Sequence, residues 1–597
     1  MKNNILASIA LFGVYRNSNH DTYYLVAQYI KAVIAQKEYV SFTPLNIQED
    51  LKELYHISIP VGVIKSVCRN KIEGITLSKG VFSCTRIPKD EIDKEYNELN
   101  EEYDGLFQPL IDFVKSETQD LGDQYIKDSF ADYLVEGNIS DSRLNNLFAA
   151  YVSSNKGDKD FRDKIDLLSS GLISYNGLSY TDTVGNNDTW TDRLVIFLDT
   201  EYLFSCAGYN DSYHQAVFQE LYDLVNEVNQ SYRRRTKKED DLIELRYLKD
   251  TRDVYMGLLA MARGLLETKG APDPSKKALI KIIQESTSIF DIQRHRAIID
   301  SALKDTYHII YDDKDYDHFI TDPRYVTYDE KTVTELNLTY NPDHDEYKRR
   351  KIDYYSRIYT IIKGLRGVKS VSVFEKCRYI FLTGSRIGRG TSLAVVCDNK
   401  TVGPATDIDF LVSRLWFKLN KQLVNNRIPI SVDIIARSQA VLTREVSRNV
   451  RKLYEQLVLK DMSDSEKKSL YSNLKEAAEF LEPYNESSTK DVLAFIEYTN
   501  IDELIDAYHK LKKKAEESER KDMALSEAKG LLAQKEEVIA GLKQNIIDQD
   551  NGHKQEQIEN SEADKRQKKI IKWLSCVVGV LVIALIAVVI FHLKILT

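Results

Sequence analysis

The chain has 597 residues, of which 43% are hydrophobic and 29% charged, with a formal net charge of -9. This length exceeds what one hydrophobic core usually serves, so we expect several globular units. The net acidity excludes a basic field over the whole protein, and any contact with nucleic acid would therefore be local. Six scattered cysteines without a C-x-x-C pair indicate reduced cytoplasmic thiols, and they favour neither a disulfide framework nor a zinc site.

The N-terminus carries an apolar run at residues 5–14 (ILASIALFGV) just after Lys2. The run resembles the core of a signal peptide, but no small-residue cleavage pattern follows it. It serves equally well as a first helix. Export would put the whole chain outside the cell and would exclude the cytoplasmic chemistry considered below.

Residues 21–86 predict three short helices followed by a hairpin. Apolar residues recur at helical spacing in three segments, and residues 74–84 then alternate around the turn Ser78-Lys79-Gly80. This order resembles a winged helix, and we assign residues 1–88 to a winged-helix-like domain. Such a unit binds a DNA groove or packs against protein, and fold alone does not decide between them. A modest basic edge would form if four side chains cluster: Lys65, Arg69, Lys71 and Lys79.

Two apolar runs further along predict buried strands. Residues 89–185 are a charged helical connector, after which RLVIFLDTEYLF (193–204) and CRYIFLTGS (377–385) each fit a buried strand, with a helical region between them. Strands separated by helices predict a parallel α/β sheet, here within residues 190–460. Asp199 lies at the carboxyl end of the first strand, where ligands bind in open α/β sheets.

FLDTEYLF resembles the opening strand of a PIN-like nuclease domain. The segments around KIDYYS and PATDIDFLVSRLWFKLN are similar to the second half of large bacterial PIN-like proteins, so the resemblance covers about residues 194–420. It implies a metal-dependent RNase or DNase, in which clustered carboxylates hold Mg²⁺ or Mn²⁺ and activate a water.

The resemblance also implies site residues. Asp199, Asp353 and Asp407 match the catalytic acids, with Asp409 a neighbour, and Asp253 is a weaker match as a fourth metal ligand. The implied contacts to nucleic acid are Thr383, Ser385, Arg386 and Arg389. Ser385 departs from the family pattern, because many PIN domains carry a carboxylate there. Losing one ligand weakens metal binding, so whether the chain is an active enzyme stays open.

A helical segment at residues 461–503 leads into a seven-residue repeat. The repeat consists of Leu504, Leu511, Leu525, Leu532, Ile539 and Ile546, broken once by Ser518. It predicts a coiled coil over residues 504–549 that could join copies of the chain into a homo-oligomer. The alternative is a single charged helix lying on the globular part.

The C-terminal region predicts a membrane anchor. A polar spacer at residues 550–570 precedes a transmembrane helix at residues 571–594, whose apolar run covers residues 573–593. Lysines at 568, 569 and 572 precede the run, so a single-pass tail anchor would leave the bulk of the chain in the cytoplasm.

These features together predict a multidomain protein with an α-rich N-terminal part, a PIN-like α/β domain, a coiled coil and one C-terminal transmembrane helix. The function implied is a membrane-tethered, metal-dependent endonuclease acting on RNA or single-stranded DNA, in bacterial stress or phage defence. Two alternatives are open. One is a catalytically inactive PIN-like scaffold that assembles partners at the membrane through its coiled coil. The other is a membrane-tethered winged-helix regulator that binds DNA.

Overall fold

The computed structural model describes residues 5–459 with short gaps, scattered residues between 463 and 544, and residues 571–583. The gaps within the first range are 19–20, 87–91, 119–120, 138, 140, 182–189, 269, 271, 274–275, 327, 343, 368–369, 397–400 and 420–427. The chain divides into two compact units, Met1–Ile501 and Asp502–Thr597, which are described separately.

The first unit opens with helices and a small antiparallel sheet of order β1-β3-β2. Residues 21–86 hold the three predicted helices and the predicted hairpin, with Gly80 at φ +87° in its turn. Helix α3 begins where Thr43 and Asn46 cap each other reciprocally and Pro44 fills the first position. In chain order the elements are α1 (Ile5–Asn17), α2 (Thr22–Gln36), β1 (Ser41–Phe42), α3 (Pro44–Tyr55), α4 (Val61–Asn70), β2 (Ile75–Ser78) and β3 (Val81–Cys84).

The apolar N-terminal run forms a core helix. Every residue of α1 from 6 to 13 is buried. Its backbone approaches helix α9 (Lys159–Leu178) so closely that a Cβ on Gly171 would lie 1.9 Å from the carbonyl oxygen of Ile9. A Cβ on Gly13 would in turn lie 2.3 Å from the carbonyl oxygen of Leu167. This packing favours the interpretation of the run as a first helix of the fold.

Five helices occupy the predicted connector. They are α5 (Asp93–Asp104), α6 (Phe107–Glu117), α7 (Asp123–Glu136), α8 (Ser142–Ser154) and α9 (Lys159–Leu178). Helix α9 contacts both α1 and a later helix, α19 (Ile408–Lys418), and Leu178 and Phe417 join the N-terminal hydrophobic core. The helical layer therefore packs the N-terminal region against the α/β region.

A five-stranded sheet of order β6-β5-β4-β7-β8, parallel throughout, follows this layer. The prediction of a parallel α/β fold is confirmed. Its strands are β4 (Leu194–Leu198), β5 (Ile243–Leu248), β6 (Ile310–Asp312), β7 (Tyr379–Leu382) and β8 (Ala405–Thr406). The two strands that the sequence predicts are β4 and β7, and they are neighbours at the centre of the sheet.

The region between these two strands, which the sequence predicts as helical, also contains β5 and β6. Glu244 and Arg246 interrupt the apolar pattern of β5. Glu244 is nonetheless buried, and Arg246 lies 3.0 Å from Asp312 of β6 and also pairs with Glu244. These charged residues break the apolar run by which a buried strand is predicted, and ion pairs within and between the strands compensate their charges.

Helices connect the strands of the sheet in sequence, and α19 follows the last strand. They are α10 (Thr200–Cys206), α11 (Ser212–Thr236), α12 (Lys249–Thr268), α13 (Lys277–Gln284), α14 (Asp291–Ser301), α15 (Asp317–Thr321), α16 (Glu330–Tyr340), α17 (Glu346–Arg366), α18 (Arg386–Leu393) and α19 (Ile408–Lys418). A last long helix, α20 (Ile434–Leu459), packs against α8.

Most of the predicted C-terminal features lie outside the described residues. The polar spacer lies outside them entirely, and so do most of residues 461–549 and residues 584–594. In the second unit, residues 571–583 are helical and expose Trp573, Val580 and Ile583. Among the helices that are described, none has the length and apolar character needed to cross a bilayer.

Candidate functional site at the carboxyl edge of the sheet

The order of the strands places a crevice between β4 and β7. From β4 the chain adds β5 and β6 on one side of the sheet, and it later adds β7 and β8 on the other. In open parallel sheets, ligands bind where the strand order reverses, outside the carboxyl ends of the strands. Three polar residues lie at these ends: Asp199 after β4, Thr383 after β7 and Asp407 after β8.

The Asp199 carboxylate is buried and accepts three hydrogen bonds. Its Oδ2 atom accepts from the Thr383 hydroxyl at 2.6 Å and from the Tyr355 hydroxyl at 2.9 Å. Its Oδ1 atom accepts from the backbone N–H of Thr200 at 2.7 Å, which caps α10. Only 6% of the residue is exposed. The carboxylate is therefore held in one orientation by groups of the protein itself.

Tyr355 reaches Asp199 from the middle of α17, whose buried face includes Ile352, Tyr359 and Ile362. These positions recur every three or four residues, so they lie on one side of the helix. Burial, and after it the charge of Asp199, raises the pKa of the Tyr355 phenol well above its ordinary value. The phenol therefore stays protonated and donates to the carboxylate.

Glu201 lies in the first turn of α10, and its Oε1 atom accepts a hydrogen bond from the backbone N–H of Gly384. A Cβ at position 384 would lie 2.8 Å from that oxygen, so only glycine allows this approach. The side chain keeps some exposed surface, but protein atoms surround it closely. Burial, followed by the charge of Asp199, raises the pKa of Glu201. Two carboxylates thus share the end of β4.

Asp407 caps helix α19 and pairs with an arginine. Its Oδ1 atom accepts from the backbone N–H of Phe410 at 2.8 Å, and its Oδ2 atom lies 3.2 Å from Nη1 of Arg389. Arg389 belongs to α18, which begins where the Ser385 hydroxyl accepts from the backbone N–H of Gly388 at 3.3 Å. Ser385 and Asp407 therefore act as helix caps, and Arg389 neutralises one acid of the crevice.

Asp409 and Tyr202 complete the acidic group. Burial, and then the charge of Asp407, raises the pKa of Asp409 to about 7. Burial raises the pKa of Tyr202, and four carboxylates raise it further, namely Glu201, Asp407, Asp409 and Asp199. All four carboxyl groups therefore act on one phenol, so the acids of the crevice lie near one another. Perturbed groups of this kind collect at functional sites, although structural networks produce them too.

Two of the acids matched by sequence lie elsewhere. Asp353 is on the exposed side of α17, where its Oδ2 atom is 3.2 Å from Nη1 of Arg349. Asp253 is exposed on α12. Arg386 is also exposed, at the start of α18. The structure thus brings Asp199, Thr383, Ser385, Arg389 and Asp407 to one edge of the sheet, and it leaves Asp353 and Asp253 outside this set.

This arrangement does not fit the Mg²⁺ or Mn²⁺ site that the family resemblance implies. Within the part of the chain that the structure describes, no three His, Cys, Asp or Glu side chains are grouped so that they could hold a metal ion. The oxygens of Asp199 accept hydrogen bonds from three protein donors, and Asp407 is paired with Arg389. The crevice acids are satisfied by the protein, and we derive no metal-dependent step from them.

Sequence reasoning missed Tyr355, Glu201 and Tyr202. Asp353 was selected because a nuclease site needs acidic residues. Successive residues of a helix are rotated by about 100°, so residues 353 and 355 point to nearly opposite sides of α17. The apolar spacing of α17 could have identified Tyr355 as the inward residue. Glu201 carried a weaker signal, as the second acid after an apolar strand.

Comparison with known proteins gave no relative. No family model, no curated protein and no solved structure matched this chain.

Proposed function

We propose that this chain is a membrane-tethered interaction protein whose PIN-like α/β domain does not cleave nucleic acid. The observation that carries this proposal is the Asp199 carboxylate, which accepts hydrogen bonds from Tyr355 and Thr383 at 2.9 and 2.6 Å. A carboxylate that ligates a metal needs lone pairs directed at the ion, and three of the about four lone-pair positions of Asp199 already accept hydrogen bonds from the protein.

The other residues matched to a nuclease also have structural roles. Ser385 caps α18, Asp407 caps α19 and pairs with Arg389, and Asp353 pairs with Arg349 on the solvent side. Each contact uses a group that a metal or a phosphate would otherwise need. These contacts support a binding scaffold over a phosphodiesterase.

In this proposal the coiled coil and the tail anchor provide assembly and location. The heptad series from Leu504 to Ile546 would join copies of the chain, and the apolar run at residues 573–593 would hold them at a bilayer. Exposed Trp573, Val580 and Ile583 on the described part of that run support an apolar environment for it.

The self-association of the full-length chain in detergent tests the scaffold role. Light scattering should give a multiple of the protomer mass for the native chain. The pair Leu525→Asp and Leu532→Asp, which places charges in the heptad seam, should give the protomer mass. The matched control changes Ser526→Asp and Ala533→Asp, one position further along the helix, and it should leave the mass unchanged. A monomeric native chain, or equal effects of the two pairs, contradicts the proposal.

A second candidate is a membrane-tethered regulator that binds duplex DNA through a winged-helix-like N-terminal unit. Helices α2 to α4 with the sheet order β1-β3-β2 support it, as do Lys65 and Arg69, which are exposed four residues apart on α4. Lys79 is exposed at the hairpin tip, whereas Lys71 lies 2.9 Å from Asp21. This unit would contact phosphates only with a small basic edge.

The test is the binding of a labelled duplex to the full-length chain at several salt concentrations. The regulator function predicts binding that weakens steeply with salt and is lost in Lys65→Glu with Arg69→Glu. The control, Lys94→Glu with Lys331→Glu, makes the same charge change on exposed lysines of other helices. Equal binding by both double variants would exclude this candidate.

A further inference from the structure

A cavity of about 290 Å³ lined by charged, polar and apolar side chains lies between α8 and α20, and none of its lining residues belongs to the acidic crevice. Helix α8 contributes Arg143, Asn146 and Leu147, and α20 contributes Arg448 and Lys452. Leu493 closes another part of the wall. No role in the proposed assembly or anchoring uses these residues.

The charge of the lining is positive. Three cationic side chains, Arg143, Arg448 and Lys452, face a single carboxylate, Glu445. Arg448 lies 3.0 Å from that carboxylate, and Arg143 donates from Nη2 to the carbonyl oxygen of Glu117 at 3.0 Å. A guanidinium keeps its positive charge when some of its five N–H donors are bonded, and the three cations outnumber the one carboxylate. The cavity therefore suits a negatively charged group.

Asn146 provides an independent sign of a ligand. The residue is 9% exposed, and its Oδ1 atom is buried with no hydrogen-bond partner among the described residues. An unsatisfied buried acceptor of this kind costs about 1 to 3 kcal/mol. A hydroxyl or amino group of a bound molecule would supply the missing donor.

The apolar side chains and the volume of the cavity restrict the kind of ligand that would fit. Leu147 and Leu493 are both buried and line the cavity beside the polar groups. The volume of about 290 Å³ is just below the range of about 300 to 1,000 Å³ that ligand pockets have, so only a small molecule would fit. A matching molecule combines an anionic group, a hydrogen-bond donor and an apolar ring in a small volume.

We infer that this cavity binds a mononucleotide. Its phosphate would lie against Arg143, Arg448 and Lys452, which offer charge-assisted hydrogen bonds. A base or ribose donor would reach Oδ1 of Asn146, and the base would contact Leu147 and Leu493. Binding would connect α8 to α20 at the surface of the first unit.

Calorimetric titration of the full-length chain in detergent tests this inference. The probes are AMP, GMP, adenosine, ribose 5-phosphate and inorganic phosphate. We expect saturable binding of AMP or GMP. Adenosine and inorganic phosphate should each bind at least about tenfold more weakly than the nucleotide, because adenosine lacks the phosphate and phosphate lacks the base and ribose.

Three variants make the test specific. Lys452→Glu is on an exposed position of α20, where folding should be preserved, and it should weaken nucleotide binding by about tenfold or more. Asn146→Leu removes the unpartnered acceptor and should weaken binding without loss of the folded state, as circular dichroism would record. Lys331→Glu makes the same charge change on an exposed lysine of α16 and should have no effect.

Several results would overturn the inference. They are the absence of nucleotide binding up to about 1 mM, equal affinity for AMP and inorganic phosphate, or unchanged affinity in Lys452→Glu. Preferred binding of ribose 5-phosphate over AMP and GMP would also overturn it, because the base would then add nothing.

Discussion

The phenol hydroxyl of Tyr355 donates a 2.9 Å hydrogen bond to the buried Asp199 carboxylate, across 156 residues of sequence. The bond joins the middle of α17 to the end of β4. It occupies a lone pair of Asp199, the residue that the family resemblance matches to a metal ligand. Much of what we propose follows from this contact.

The hydrogen bond from Tyr355 should contribute measurably to stability. Tyr355→Phe removes a donor to a buried carboxylate, so we expect the free energy of unfolding to fall by about 1.5 to 3 kcal/mol. Urea unfolding of the full-length chain measures it. The control is Tyr354→Phe, since the Tyr354 hydroxyl is 3.0 Å from the neutral hydroxyl of Thr251 and should contribute about 0.5 to 1.5 kcal/mol. A larger loss in the control would contradict the prediction.

Protonation of Asp409 should make stability depend on pH. Its pKa in the folded chain is about 7, raised by burial and by Asp407, above the ordinary value of 3.8. The folded state binds this proton more tightly than the unfolded state, so its stabilising effect is complete below pH 3.8 and disappears as the pH rises through 7. Arg389, Arg437 and Glu220 also act on the group.

Asp409→Asn cannot titrate, and thermal unfolding of both proteins across this range measures the difference. We expect the melting temperature of the variant minus that of the native chain to increase between about pH 4 and pH 7. Asp353→Asn, on an exposed residue paired with Arg349, serves as the control and should show a flat difference. A flat difference for Asp409→Asn as well would show that the proton is not bound as we describe.

The buried Arg414 ties α19 to the helical layer. The side chain has no exposed surface, lies 2.6 Å from Glu375, and donates to the carbonyl oxygen of Ser179 at 2.7 Å. Arg414→Met leaves Glu375 with only Lys418, 3.3 Å away, as a cationic partner. We expect the free energy of unfolding to fall by about 3 to 5 kcal/mol, since one partner of a buried pair is removed.

A second substitution checks the cause. Glu375→Gln in the Arg414→Met background removes the uncompensated charge and should restore part of the lost stability, as measured by urea unfolding. If the double variant were as unstable as the sum of the two single variants, lost packing rather than unpaired charge would explain the effect.

The close approach of α1 and α9 should tolerate no side chain at Gly171. Because an added Cβ would lie 1.9 Å from the carbonyl oxygen of Ile9, Gly171→Ala forces the helices apart and should cost about 3 kcal/mol. Gly264→Ala, in the C-terminal part of α12 with nothing within 4 Å of the added Cβ, is the matched control and should stabilise by up to about 1 kcal/mol. Equal melting temperatures for the two variants would contradict the observed packing of α1.

The parts of the fold predicted from sequence are those where one local pattern dominates. Strands β4 and β7 were predicted because their runs are apolar throughout, as expected of strands buried on both faces. Strand β5 was missed because Glu244 and Arg246 break its run. Arg246 pairs with Glu244 and with Asp312 of β6, and the second contact joins two strands, which one sequence does not reveal.

The candidate site was predicted in part for a similar reason. Asp199, Thr383 and Asp407 follow strands, so the shared edge of a parallel sheet brings them together. Asp353 was selected by residue type, and its helix instead turns Tyr355 inward. Which residue of a helix faces a site depends on how the helix packs, and that depends on residues distant in the sequence.

Nuclease activity of the full-length chain tests the central proposal most directly. Labelled RNA and single-stranded DNA are incubated with the native chain and with Asp199→Asn, in Mn²⁺ and in EDTA. We expect equal, background loss of substrate under all four conditions, because the Asp199 carboxylate is held by Tyr355 and Thr383. Cleavage by the native chain that requires Mn²⁺ and disappears in Asp199→Asn would contradict the proposal and would support a metal-dependent nuclease instead.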